Sequence, residues 1–367
     1  MIDLVQKEDC CGCEACYNIC GEEAIYMKVD NEGFYYPVIN YGKCIQCQKC
    51  ELVCQSMKRN LKKEEEKTKA YACFNMDKKI REKSTSGGVF PLIAKYIIEE
   101  LHGVVYGVKF DDDYIVRHDR AESMFKVSKF SGSKYVQSKI GKTYINVKND
   151  LEKGRVVLFT GMPCQVEALL NVLGKKYSGL YCMDMICFGI GSPGIWNKYL
   201  EGFHDKKLIS EIVFKDKRYG WKNWSIKIVE NGIEKYYGNR ENFYMNSYLK
   251  CLNVRKCCSK CNNKGINRKS DITIADGWGT AENNIELNDN MGLSAMLLHS
   301  KKGRKIFKAI EPYIKYQEYP AHKLMEGNWA AYYSITLNEK REEFMKMIQV
   351  NGVKETLEKY GSFNEGE

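Results

Sequence analysis

The segment Cys10-Cys11-Gly12-Cys13-Glu14-Ala15-Cys16-Tyr17-Asn18-Ile19-Cys20 carries cysteines in the order C-x-x-C-x-x-C-x-x-x-C, and Cys44 to Cys54 repeats it with Cys47 and Cys50 between. Three thiolates on one tight loop can each reach one iron of a cubane. The fourth, a helical step further on, points away and ligates another cluster. The spacing therefore assigns Cys10, Cys13, Cys16 and Cys54 to one [4Fe-4S] cluster, and Cys44, Cys47, Cys50 and Cys20 to a second. Paired C-x-x-C also binds zinc. Zinc wants four ligands, however, and each run brings its own four in the iron–sulfur order. The proline usual after the fourth cysteine is missing; Gly21 and Gln55 stand there.

This is the ligand pattern of a bacterial-type two-cluster ferredoxin, and residues 1–57 read as such a domain. Its halves form an internal repeat, with short strands expected at 24–28 and 33–37. The charged run SMKRNLKKEEEKT at 56–68 reads as a linker or an exposed helix.

A length of 367 residues suggests two or three domains. Hydrophobic residues at 44% and charged residues at 28% are ordinary for a water-soluble chain. The 17 cysteines, clustered as C-x-x-C, argue for metal ligation in a reducing compartment rather than disulfides. Residues 1–10 show no apolar leader segment, and no stretch is apolar enough to span a membrane, so a cytoplasmic protein is expected. The formal charge of +10 treats cysteine as neutral. Each tetrathiolate cubane adds roughly −2, so two clusters leave about +6 and a third about +4. A solvated lysine-rich surface is therefore expected in place of a nucleic-acid patch.

From residue 69 the pattern changes. Strands are expected at 70–74, 104–110, 156–159 and 180–186. Helices are expected at 86–103, 165–173 and 193–203. Such alternation implies an α/β domain over 69–320. Further strands at 212–215, 225–230 and 271–275 make its sheet mixed. The chain beyond 306 reads as largely helical, and 321–367 as a helical tail. The expected fold is thus an N-terminal ferredoxin domain followed by a mixed-sheet α/β domain.

Four further cysteines lie at suggestive places. Cys164 and Cys187 each follow a strand and precede a helix, where open α/β sheets place their ligand crevice. Cys258 and Cys261 form C-x-x-C. Together they fit a third [4Fe-4S] cluster. Separate buried cysteines with a zinc clip remain the alternative, and Cys257 can replace Cys258. Ser84-Thr85-Ser86-Gly87-Gly88 opens a helix and offers N–H groups to a phosphate, or serves as plain capping. Gly132, Ser133, Lys134, Tyr135 and Gln137 form a second polar segment. Thr160 and Gly161 lie beside Cys164. Lys217, Arg218 and Trp221 could grip an acidic or planar molecule or cap a hairpin, and Asp276 could hydrogen-bond at the site or merely end a strand. Gly189, Gly191 and Gly194 make a G-x-G-x-x-G string, but Ser192 and Pro193 within it read as an ordinary helix start.

The segments STSGGVFPLIAKYI, GSKYVQS, VLFTGMPCQVEAL, FKDKRYGW and SDITIADGWG, in that order, resemble the coenzyme F420 hydrogenase/dehydrogenase beta-subunit family over about residues 1–300. The resemblance implies a flavin beside a [4Fe-4S] cluster, with FAD favoured over FMN and the choice between them left open by the sequence. It implies Cys164, Cys187, Cys258 and Cys261 as that cluster's ligands. It also implies Ser84 to Gly88, Gly132 to Tyr135, Gln137, Thr160 and Gly161 as flavin contacts. One departure stands out: the family's Cys-His-Gly turn reads Cys187-Phe188-Gly189 here.

The expected protein is an iron–sulfur flavoprotein oxidoreductase. It would exchange electrons with a redox partner or ferredoxin-like donor, and hydride with a deazaflavin or other small molecule. Two rivals stand beside this expectation, a non-catalytic relay subunit and an iron–sulfur nucleic-acid module. Oligomer formation is compatible with the sequence.

Overall fold

The computed structural model describes residues 5–57, 68–279, 283–284 and 286–362. The linker reading of 58–67 lies outside them. In the N-terminal part, helices Ala15–Ile19 and Lys49–Val53 pack together beside an antiparallel hairpin of β1 (Ile25–Val29) and β2 (Tyr35–Ile39). The sequence repeat is also a backbone repeat. Gly12 and Glu14 have φ of 62° and 59°, and their counterparts Gln46 and Gln48 have 56° and 60°. Left-handed backbone costs a non-glycine residue about 1–2 kcal/mol. Three such residues in two cysteine loops therefore mark a constrained conformation. Turns of this kind can aim backbone N–H groups into an anion-binding concavity.

The main body is an eight-stranded mixed sheet. Its strands are β3 (Lys69–Asn75), β4 (Val104–Phe110), β5 (Val116–Ala121), β6 (Val157–Thr160), β7 (Leu180–Met185), β11 (Ile272–Asp276), β12 (Ser294–Leu298) and β13 (Ile314–Tyr319). The order is β13-β3-β12-β11-β7-β6-β4-β5. The four central strands β4, β6, β7 and β11 run parallel, and the flanking pairs are antiparallel. Helices cover both faces, so β6, Val-Leu-Phe-Thr, is buried throughout. Leu158 joins a core with Ile93, Ile97 and Phe307. Phe159, pointing the other way, joins Tyr144, Val147 and Leu169. Ala15 and Val53 of the N-terminal helices belong to that second core, so the cysteine-rich part packs on the main body.

Three expectations need correction. The strands β8 (Ile209–Asp216) and β9 (Ser225–Glu230) do not extend the main sheet. With β10 (Ile233–Gly238) they form a separate three-stranded antiparallel sheet. β10 follows the two-residue turn Asn231-Gly232, both at positive φ, a hairpin signal present in the sequence. The helix expected from 86 begins at Val89, because Gly88 at φ 76° lies outside helical space, and it ends in a π-turn, Tyr96–Glu100. The stretch after 306 contains the edge strand β13, whose pattern is mostly exposed and so gives no alternation to read.

The C-terminal helices Arg341–Val350 and Val353–Gly361 join a third core, in which Phe344 and Leu357 are fully buried near Trp196 and Tyr244. The G-x-G-x-x-G string also belongs to packing. Ser192 caps the helix Pro193–Phe203 and donates to Glu32 O, and Gly194 N donates to Gly33 O. A Cβ on Gly33, which has φ 81°, would lie 2.6 Å from Gly194 Cα. Gly33→Ala is expected to destabilise the chain by more than about 1 kcal/mol, since backbone strain and a backbone clash add. A denaturation midpoint equal to wild type would show that the contact yields freely. Among the described residues, no helix is long and apolar enough to cross a membrane.

Candidate iron–sulfur and flavin site

All seventeen cysteines are free thiols. Cys20, Cys44, Cys47 and Cys50 line one pocket of about 430 Å³ with Ala24, Ile25 and Ile39. Cys20, from the first run, thus sits with three thiols of the second. Cys47 is exposed. The other set is deeper. Burial pushes the Cys16 thiol well up, and Cys13, Cys10 and Cys54 crowd it and push it further. Here too the fourth thiol crosses from the other run.

A second pocket, of about 610 Å³, holds all four cysteines expected in the main body, Cys164, Cys187, Cys258 and Cys261. Topology explains the convergence. Cys164 stands in the first turn of helix Pro163–Leu173, directly after β6, and Cys187 stands two residues after β7. The carboxyl ends of adjacent parallel strands open a crevice there. Cys258 arrives on the short turn Lys256–Lys260, and Cys261 N–H is held by Ser334 Oγ at 3.1 Å. Lys260, Lys264 and Arg268 line the same pocket. Lys264 Nζ donates to Cys187 O at 2.7 Å and to Ala330 O at 2.9 Å.

Burial drives the Cys187 thiol up to about 12, against the pull of Lys264. At Cys164 the neighbouring Cys11 pulls down, but burial together with Cys187, Cys261 and Cys13 pushes the thiol up to about 11. As bare thiols these groups stay protonated near neutrality; a cationic iron core is the kind of ligand that displaces such protons. Four thiols from three segments, with cations around them, fit an anionic tetrathiolate cluster. Among the described residues, no three His, Cys, Asp or Glu side chains are gathered to hold a single metal ion. A cubane spreads its thiolates more widely than one ion does.

Cys11, without an expected role, and Cys257, the alternative to Cys258, also line this pocket. The Cys11 thiol feels both Cys13 and Cys164, so it lies between two ligand sets. Gln55, standing where a proline was expected, donates to Cys11 Sγ at 3.3 Å and to Cys164 O at 2.8 Å, and accepts from Asn263 at 2.8 Å. The missing proline was the sequence signal for this residue.

Three more residues tie the cysteine-rich part to the body. Glu14, buried so that its carboxyl rises to about 7, accepts from Ile140 N and Gly141 N, each at 2.9 Å. Tyr144 Oη donates to Cys13 O at 3.0 Å. Arg255, fully buried, donates to Cys10 O at 2.7 Å and Tyr35 O at 3.0 Å. No local pattern announced these, because each partner lies more than a hundred residues away.

Of the residues expected to contact flavin, the structure brings two segments together: Ser133 N donates to Thr85 Oγ1 at 2.9 Å. A Cβ on Gly132 would meet open space. Ser84 Oγ donates to Ile80 O, and Ser86 Oγ to Leu293 O. Gly87 N donates to Ser294 Oγ, and Gly88 caps the helix. Lys134 Nζ is turned to the carbonyls of Lys129, Phe130, Ser131 and Gly132, and burial lowers its pKa to about 7. Gln137 donates to Gly12 O beside the first cysteine loop. Tyr135 stacks near Trp224, 6.4 Å between centroids. Thr160 Oγ1 donates to Tyr106 O, and Gly161 N to Met183 O. Lys217 Nζ donates to Arg81 O, Ser86 O and Met291 O and so pins the 86 segment. Arg218 pairs with Glu234 at the surface, and Trp221 stacks on Trp278. Asp276 pairs with the buried Lys215 at 2.7 Å.

Residues 154–322 match the family model for the C terminus of the coenzyme F420 hydrogenase/dehydrogenase beta subunit. Among solved structures, the chain is similar to one from the xenon-derivatised F420-reducing [NiFe] hydrogenase complex of Methanosarcina barkeri. The identity is 15%, the match covers 79% of this chain and 89% of that one, and the TM-score is 0.47. No curated protein matches.

Proposed function

Through residues 154–322 the chain belongs to the coenzyme F420 hydrogenase/dehydrogenase beta-subunit family, and from that membership we propose a cytoplasmic iron–sulfur flavoprotein oxidoreductase. Its redox class follows from the family. The finer reading rests on one observation: the four cysteines expected from three separate segments meet in one cation-lined pocket. Bound there and in the N-terminal part, clusters supply single-electron steps, and a flavin supplies hydride exchange.

In this reading Cys10, Cys13, Cys16 and Cys54 hold one [4Fe-4S] cluster, and Cys20, Cys44, Cys47 and Cys50 hold a second. Cys164, Cys187, Cys258 and Cys261 hold a third. Lys264 and Arg268 offset its negative charge. Cys11 and Gln55 keep the first ligand set against the third. The face where Thr85 meets Ser133, with Gly132 open beside it, is the proposed flavin cradle. Exposed Cys47 gives the second set access to a redox partner protein. The substrate is a small hydride donor or acceptor, a deazaflavin included.

A second reading, a relay subunit that needs another chain for the chemistry, draws support from Lys134 and Gln137, whose polar groups are turned to protein atoms. Anaerobic reconstitution followed by iron, sulfide and flavin assays separates the two. About twelve irons and one flavin per chain are expected. Iron without flavin would favour the relay. A value near eight irons would remove the third cluster.

A further inference from the structure

We propose that Arg255 is a positioning residue that raises the reduction potential of the cluster held by Cys10, Cys13, Cys16 and Cys54; the inference rests on the reading of those cysteines given above. Arg255 is fully buried. Its Nη2 lies 3.7 Å from Cys10 Sγ, and its Nε donates to Cys10 O at 2.7 Å. Nη1 donates to Gln137 Oε1 at 3.0 Å, and Gln137 in turn donates to Gly12 O at 3.0 Å. The guanidinium sits 4.1 Å from the centroid of the Tyr36 ring. It is therefore fixed from several sides against the first cysteine loop.

Its charge lacks an obvious partner. Among the described residues, no carboxylate is paired with Arg255. Glu14 is near enough to feel it, but both Glu14 oxygens are engaged by Ile140 N and Gly141 N. A buried cation without a paired anion is costly. What stands beside this one is the thiol set of the first cluster, with Cys10 Sγ 3.7 Å from Nη2. An anionic cluster on these thiols supplies the missing charge.

The consequence for redox follows from electrostatics. A cluster gains one negative charge on reduction. A fixed cation beside a ligand sulfur, in a medium of low polarity, stabilises the reduced form more than the oxidised one. A hydrogen bond to the sulfur acts in the same direction. Arg255 also lies two residues before Cys257, which lines the third cysteine pocket. The residue thus tunes the cluster that faces the main body.

The test uses the full chain, reconstituted anaerobically, in a redox titration followed by electron paramagnetic resonance. The signal of the first cluster is identified by its loss in Cys16→Ala. At the potential where half of it is reduced in wild type, Arg255→Met is expected to lower the reduced-to-oxidised ratio by at least about tenfold, which is about 59 mV for a one-electron couple. Arg255→Lys keeps the charge but loses the fork, and should lie between Met and wild type. Equal ratios in Lys and Met would point to packing and overturn the inference. So would a wild-type ratio in Arg255→Met with its iron intact. If Arg255→Met does not load iron, Arg255→Lys carries the test, and an unchanged ratio there overturns the proposal. A wild-type chain that binds no iron removes the reading of the cysteines and this inference together. Wild type with about twelve irons and unmoved variants removes the inference alone.

Discussion

Cys187→Ala is expected to bring the iron content from about twelve to about eight per chain and to uncouple the two halves of the molecule. Cys187 is a sharper target than Cys164 or Cys258. Cys164 has Cys11 beside it in the pocket, and Cys258 has Cys257 as its neighbour. Either spare thiol stands ready to take over. The Cys187 thiol instead bonds Gly189 O at 3.7 Å, on its own turn. The eight cysteines of the N-terminal part are untouched by the substitution, so their iron should remain. Flavin should remain as well, because the Thr85–Ser133 face lies on other segments. Bleaching of the flavin by a hydride donor should then no longer be followed by the iron–sulfur signal of the N-terminal part. Twelve irons in Cys187→Ala, with reduction at the wild-type rate, would show that Cys187 is a packing residue and that the third cluster is wrongly placed.

Arg341→Met is expected to destabilise the fold by about 3 kcal/mol at neutral pH. Arg341 is buried, and its guanidinium meets the Glu32 carboxylate at 2.6 and 3.0 Å and Val254 O at 3.0 Å. The substitution keeps apolar bulk but leaves Glu32 without its main partner; Lys256, at 3.9 Å, offsets only part of the loss. Glu32 also gives a pH signature. Burial raises its pKa, but the Arg341 hydrogen bond and charge, with Lys256, prevail and hold it below the usual value. A depressed carboxylate stabilises the folded state fully above its unfolded pKa, about 4.3, and that contribution is lost as pH falls through the folded pKa. The wild-type advantage should therefore be largest near pH 7 and shrink below about pH 4. Urea unfolding of both chains across this range measures it. A stability gap that does not narrow in acid would place the effect in packing instead of the ion pair.

These contacts mark what could be read locally and what could not. The cysteine runs were legible because ligand spacing is local: three thiols within seven residues share one loop whatever the rest of the chain does. Cys164 and Cys187 were legible as candidates because a strand followed by a helix start places a residue at the crevice of a parallel sheet. The separate β8–β10 sheet was not legible, since strand pattern reports burial and not which neighbour provides it. The edge strand β13 was missed for a related reason: most of its side chains face solvent, so no period of two is imposed on them.

The sequence by itself determined the twelve candidate ligands, the α/β alternation and the family motifs, all properties of short segments. Only the tertiary structure decided that Gly194 seats its helix against Gly33. It also turned Lys134 and Gln137 toward protein carbonyls. And it placed Cys11, Gln55, Glu14 and Arg255 between the cysteine-rich part and the body. The physical reason is that each of these roles is a contact across the chain. A buried amide, carboxylate or guanidinium must find its partner wherever folding brings one, and local sequence does not encode where that is.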